Sequence, residues 1–200
     1  MIPMFAPVYH VDECMQEMKE CLEKGWTGQG FKTIEFEEAW KKYTGFANAH
    51  FVCTATAGLN LAIGILKEEN GWTDDDEIIS TPITFVATNN AVLTNHMKVV
   101  FADIDKTLCL DPKDVQKKIS PKTKAVIFVG LGGNIGNFNS IVQICRQYGL
   151  KLILDAAHMA GTRVNGEIPG KDADVVVYSF HVTKNLTTAD SGMICFADKK

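Results

Sequence analysis

The sequence predicts an α/β protein, a three-layer α/β/α sandwich built on a mostly parallel seven-stranded sheet. Two observations carry this. Seven short apolar runs, at 51–53, 78–80, 99–102, 125–129, 152–154, 175–179 and 193–196, lack the polar alternation of a half-exposed strand, which is the pattern of strands covered on both faces. Helical stretches lie between many of them, and strand–helix alternation with short connections builds parallel sheets.

Before the first run the chain is helical. Residues 13–24 keep an apolar face and stop at Gly25. Trp26-Thr27-Gly28-Gln29-Gly30 then reads as a loop. Thr33 is placed as the cap of a second helix that runs through Phe36, Ala39 and Trp40 to Gly45. Further helices are expected over 59–68, 85–95, 112–119 and 140–148. No internal repeat, low-complexity stretch or linker divides the chain, so residues 1–200 are read as one domain.

Composition excludes several classes of function. Hydrophobic residues make up 46% and charged residues 22%, the balance of a soluble globular domain. The net charge of -4 argues against a nucleic-acid partner. No apolar run reaches membrane-spanning length, and the N-terminus lacks the basic and apolar regions of a signal peptide. The six cysteines show no CxxC spacing, which argues against a zinc site, and no other metal centre is expected. Cys53, Cys109 and Cys195 lie in or beside apolar runs, as reduced core thiols do, so a cytosolic protein is expected.

In open α/β sheets ligands bind beyond the carboxyl ends of the strands, so the residues after each run are the candidates. After 51–53 come Thr54-Ala55-Thr56-Ala57-Gly58, small residues that leave backbone amides open to an anion at a helix start, or simply make a tight turn. After 78–80, Phe85 opens a helix and offers either a ring to the cleft or core filler. After 152–154 comes Asp155, a carboxylate that needs a cation or serves as a cap, and then His158. After 175–179 comes Lys184, among small and hydroxyl residues. An anion cradle, an aromatic ring, an acid and an amine at one sheet edge fit one cofactor better than four coincidences.

Assembled, these residues resemble the DegT/DnrJ/EryC1/StrS family of pyridoxal-phosphate (PLP) sugar aminotransferases, over nearly the whole chain. The strongest stretch is Ser179-Phe180-His181-Val182-Thr183-Lys184-Asn185-Leu186-Thr187-Thr188, similar to the family's Ser-Phe-x-x-x-Lys block. Thr27-Gly28-Gln29-Gly30, Phe36-Glu37, Thr54-Ala55-Thr56-Ala57, Thr84-Phe85-Val86-Ala87-Thr88, Phe101-Ala102-Asp103-Ile104-Asp105 and Asp155-Ala156-Ala157-His158 support it in the same order. The resemblance implies the large PLP-binding domain of fold type I, without the family's smaller C-terminal domain. It implies that Lys184 holds PLP as a Schiff base, that Asp155 pairs with the ring nitrogen and that Phe85 stacks on the ring. His158 would lie near the 3-oxygen, and the Thr56 and Ala57 amides with the Ser179 hydroxyl would hold the phosphate.

Three stretches depart from the family pattern. Ala55 stands for a usual glycine, 129–133 for a segment with His and Tyr, and 189–192 for Gly-Glu-Gly-Gly. The resemblance implies amino transfer, with L-glutamate as donor, to a nucleotide-linked keto sugar by a homodimer. The retained Lys184 separates it from a dehydratase branch that has histidine there. A non-sugar keto acceptor and a catalytically incomplete PLP-fold module remain as alternatives. A Rossmann-type nucleotide binder is disfavoured, since no GxGxxG follows the first strand.

Overall fold

The computed structural model describes residues 7–197. Helices α1 (Val11–Glu23) and α2 (Phe31–Thr44) lead into β1 (Asn48–Val52), α3 (Ala55–Asn70), β2 (Glu77–Ser80), α4 (Val86–Thr94), β3 (Lys98–Phe101), α5 (Pro112–Lys118) and β4 (Thr123–Val129). A 3-10 turn (Leu131–Gly133), α6 (Phe138–Tyr148), β5 (Lys151–Asp155), β6 (Val175–Ser179) and β7 (Gly192–Phe196) follow.

The strands form one sheet in the order β1-β7-β6-β5-β4-β2-β3. The β3, β2, β4, β5 and β6 pairings are parallel, whereas β7 runs antiparallel to both β6 and β1. The expected mostly parallel seven-stranded sheet is therefore present. Two apolar layers cover it. One joins Trp40 of α2, Val115 of α5 and Ile141 of α6 to Val126, Phe128, Leu154 and Val176. The other joins Leu59 and Ile63 of α3 and Val92 of α4 to Ile78, Ile127, Ile153 and Val177. Successive strand residues point to opposite faces, so with helices on both faces every β6 residue is buried.

Local chemistry sets the element ends. Thr54 is the N-cap of α3 and its hydroxyl accepts from the Ala57 amide at 3.0 Å. Asp111 caps α5 through the Lys113 amide at 2.9 Å, with Pro112 in the first turn. Gly71 and Gly149 close α3 and α6 in the left-handed conformation, φ 63° and 64°.

Three expectations are corrected. The cap of α2 is Gly30, not Thr33; Thr33 lies in the first turn and its hydroxyl accepts from the Gly30 amide at 3.4 Å. Helix α3 begins at Ala55, four residues before the expected start, because the Thr54 cap nucleates it directly after β1. Cys53 is exposed, since β1 ends at Val52 and the thiol lies past the sheet, whereas Cys109, Cys145 and Cys195 are buried.

Helix α1 buries none of its residues. It is tied to α2 by Lys32, which pairs with Glu17, with Glu20 at 2.8 Å and with Glu35 at 3.0 Å. Among the described residues no helix is long and apolar enough to cross a membrane.

Candidate active site

The parallel strands β2, β4, β5 and β6 and the first strand all point their carboxyl ends to one edge. There lies a cavity of about 330 Å³ whose lining includes Thr56, Phe85, Asp155, His158, Ser179 and Lys184. Six of the seven residues singled out from sequence thus share one space. Ala57 does not line it, and its amide is spent on the Thr54 cap. The amides that remain open are those of Ala55 and Thr56, the first two of α3, for which no protein acceptor occurs among the described residues. An anion at a helix N-terminus is favoured both by these donors and by the helix dipole.

Gly192 makes this arrangement possible. It pairs with Val52 on one side and Ser179 on the other. A Cβ there would meet the Ala55 nitrogen at 2.7 Å and the Tyr178 carbonyl oxygen at 2.8 Å. A side chain at that position would separate the α3 N-terminus from Ser179.

Asp155 ends β5 and is 4% exposed. Its Oδ2 accepts from the Thr88 hydroxyl at 2.7 Å and its Oδ1 from the Ala157 amide at 3.1 Å. Burial pushes its carboxyl above the ordinary value, while those two hydrogen bonds and the charges of His158 and Lys184 pull it down. A buried carboxylate facing a cavity is poised for a cationic or proton-sharing partner.

Lys184 sits in the turn after β6, its amide donating to the His181 carbonyl at 2.8 Å. It is half-buried, and that burial lowers its pKa against the opposing pull of Asp155. A depressed lysine pKa leaves more free amine near neutral pH, which makes the nitrogen a nucleophile. His158 Nδ1 accepts from the Gly132 amide at 3.1 Å, so its neutral ring carries the proton on Nε2. Burial, then the nearby Lys184 charge, lowers the His158 pKa and favours that neutral form. Ser179 is buried at the end of β6 and lines the cavity. Phe85 is the N-cap residue of α4, just outside the helix, and is 71% exposed at the mouth.

Sequence reasoning missed Thr88 and Gly132, which hold Asp155 and His158 in place. Their partners lie 67 and 26 residues away, so the local stretches that contain them, 84–88 and 129–133, give no sign of these contacts. A second hollow of about 580 Å³ adjoins the first and shares His158, Thr183 and Lys184 with it. Gly132, Gly133, Gly161, Thr162 and Asn185 complete its lining, with Ala160.

The donor set fits PLP. The open amides and Ser179 suit a phosphate, the buried acid suits a pyridinium nitrogen, the exposed ring suits stacking and the amine of lowered pKa suits a carbonyl.

Comparison with known proteins agrees. The model of the DegT/DnrJ/EryC1/StrS aminotransferase family matches residues 9–200. The spore coat polysaccharide biosynthesis protein SpsC of Bacillus subtilis is 34% identical over 200 residues, 100% of this chain and 50% of SpsC. Spr1654 of Streptococcus pneumoniae in its PLP form superposes with a TM-score of 0.92 at 27% identity, covering 99% of this chain and 53% of that one. DesI, solved in the presence of its TDP-sugar product, gives 0.88 at 31% identity, covering 99% and 50%. The chain spans about half the length of the curated relatives it matches.

Proposed function

This chain belongs to the DegT/DnrJ/EryC1/StrS aminotransferase family, and from that premise we propose that it forms the cofactor-holding part of a PLP-dependent sugar aminotransferase. The substrate proposed is a nucleotide-linked keto sugar, and the donor is L-glutamate. The observation that carries the reading is the shared cavity of Lys184, Asp155 and the open α3 amides. DesI, crystallised with a TDP-sugar product, supports the acceptor class.

In this reading Lys184 holds PLP covalently, Asp155 pairs with the ring nitrogen, and Phe85 covers a ring face. The Ala55 and Thr56 amides with Ser179 take the phosphate, and His158 Nε2 donates to the ring oxygen. Bound there, PLP supplies an electron sink for the carbon that gains or loses the amino group. Asp155, ionised, keeps the ring nitrogen protonated. Lys184 Nζ, once free, would carry the proton between the substrate carbon and the cofactor carbon that share the amino nitrogen, work for which a lowered pKa suits it. The adjoining hollow, with its hydroxyl and amide groups, receives the sugar. We extend the proposal to a cytosolic homodimer whose residues 1–200 form one PLP-binding domain; helix α1, which has no fully buried residue, supports an assembly.

The test is spectroscopic. L-glutamate added to PLP-loaded protein should remove the long-wavelength absorbance of the bound cofactor, and a nucleotide-linked keto sugar should restore it. Bound PLP that no amino acid converts would refute the aminotransferase reading.

A further inference from the structure

Asp155 does not stand alone at the end of β5. Its Oδ2 is 2.7 Å from the Thr88 hydroxyl, and that oxygen is 2.7 Å from the Thr84 hydroxyl. Thr88 is 1% exposed on α4, and Thr84 immediately precedes Phe85. A hydroxyl carries one proton, and an ionised carboxylate only accepts. With Asp155 ionised, Thr88 must spend its proton on the carboxylate, and Thr84 must donate to Thr88. The direction of both bonds is therefore set by the charge on Asp155.

We propose that the Thr84 and Thr88 hydroxyls form a one-way relay that holds the Asp155 carboxylate ionised and fixed in orientation, Thr88 acting as its principal positioning residue. The inference rests on the PLP reading and deepens it. Around Asp155, α4 contributes Thr88, the turn after β5 contributes the Ala157 amide and His158, and the turn after β6 contributes Lys184. His158 is favoured neutral, so Thr88 and Ala157 supply direct hydrogen bonds and Lys184 supplies charge from a distance.

A hydrogen bond that stabilises a carboxylate lowers its basicity. Removing the Thr88 hydroxyl makes Asp155 more basic and draws the shared proton from the ring nitrogen toward the acid. A less positive ring withdraws less charge from the nitrogen joining it to Lys184, so that nitrogen becomes more basic. Thr84 lies one step out, and its loss leaves Thr88 free to donate.

The experiment is a pH titration of the long-wavelength absorbance of PLP-loaded protein, with PLP dissociation constants, for wild type, Thr88→Val, Thr88→Ser and Thr84→Val. Thr88→Val should move the titration midpoint to higher pH and weaken PLP binding by about tenfold, the scale of one hydrogen bond to a charged group. Thr88→Ser, which keeps the hydroxyl, should return both to the wild-type values. Thr84→Val should move the midpoint the same way and by less. An unmoved midpoint in Thr88→Val, or a serine variant that behaves like valine, overturns the relay while PLP binding by wild type stands. If Thr88→Val does not fold, Thr84→Val and Thr88→Ser decide: an unmoved midpoint in the first or a shifted one in the second overturns it. A wild-type protein that takes up no PLP overturns the cofactor reading and the relay together.

Discussion

Replacing Asp155 with asparagine separates the stability cost of the buried acid from its function. Burial raises the Asp155 carboxyl above its ordinary value. Between the unfolded value of about 3.9 and that raised folded value, the native state binds more proton than the unfolded state. Stability contributed by this group therefore falls as pH rises through the window, by at most about 1.4 kcal/mol per pH unit for one proton. Above the folded value the deficit is constant. Asparagine binds no proton, so the slope vanishes. The amide also costs one of the two accepting oxygens that face Thr88 and Ala157, a loss of about 1 kcal/mol that does not depend on pH. Urea unfolding of both cofactor-free proteins from about pH 4 to about pH 7 measures the difference. Asp155→Asn minus wild type should start near or below zero and climb through the window before levelling. A flat or descending difference curve would show that burial does not govern this carboxylate.

Other substitutions probe the cradle and the core. Phe85 is 71% exposed, so Phe85→Ala should change stability by less than about 0.5 kcal/mol yet weaken PLP binding about fivefold, the worth of ring stacking. Gly192→Ala drives a methyl into backbone at 2.7 Å and 2.8 Å; it should destabilise by about 1–3 kcal/mol in urea melts and weaken phosphate capture. Cys53 is exposed, whereas burial pushes Cys145 and Cys195 up to about 12. A thiol reagent at mild pH should modify Cys53 at once and Cys145 and Cys195 only after denaturation, as mass mapping of the native protein will show.

The legibility of the fold followed from burial. Strand β6 is legible to the residue because two covered faces call for an unbroken apolar run, which Val175–Tyr178 supplies up to the Ser179 that ends the strand. The strands that begin at Glu77, Lys98 and Lys151 were read one residue late, since a charge at a strand's first position still reaches solvent. Asp155 and Ser179 stand out in the sequence because each ends a buried strand, where a polar residue needs a reason, and Lys184 because it lies in the short segment just past β6. Thr88 looked like any helical threonine, and only the approach of α4 to β5 gives its hydroxyl a purpose. The composition of the 54–58 loop does not disclose that the Thr54 side chain claims the Ala57 amide, which is why the phosphate contact expected there falls one turn position too late. Cys53 closes the apolar run 51–53 and so resembles a core thiol, yet the strand ends one residue earlier.

Reduction with borohydride is the most direct test of the central claim. The protein, loaded with PLP, reduced and digested, should carry one phosphopyridoxyl group, on the peptide that contains Lys184, and Lys184→Ala should carry none. A label mapped to another lysine, with Lys184 unmodified, would contradict the site built here from the ends of β5 and β6.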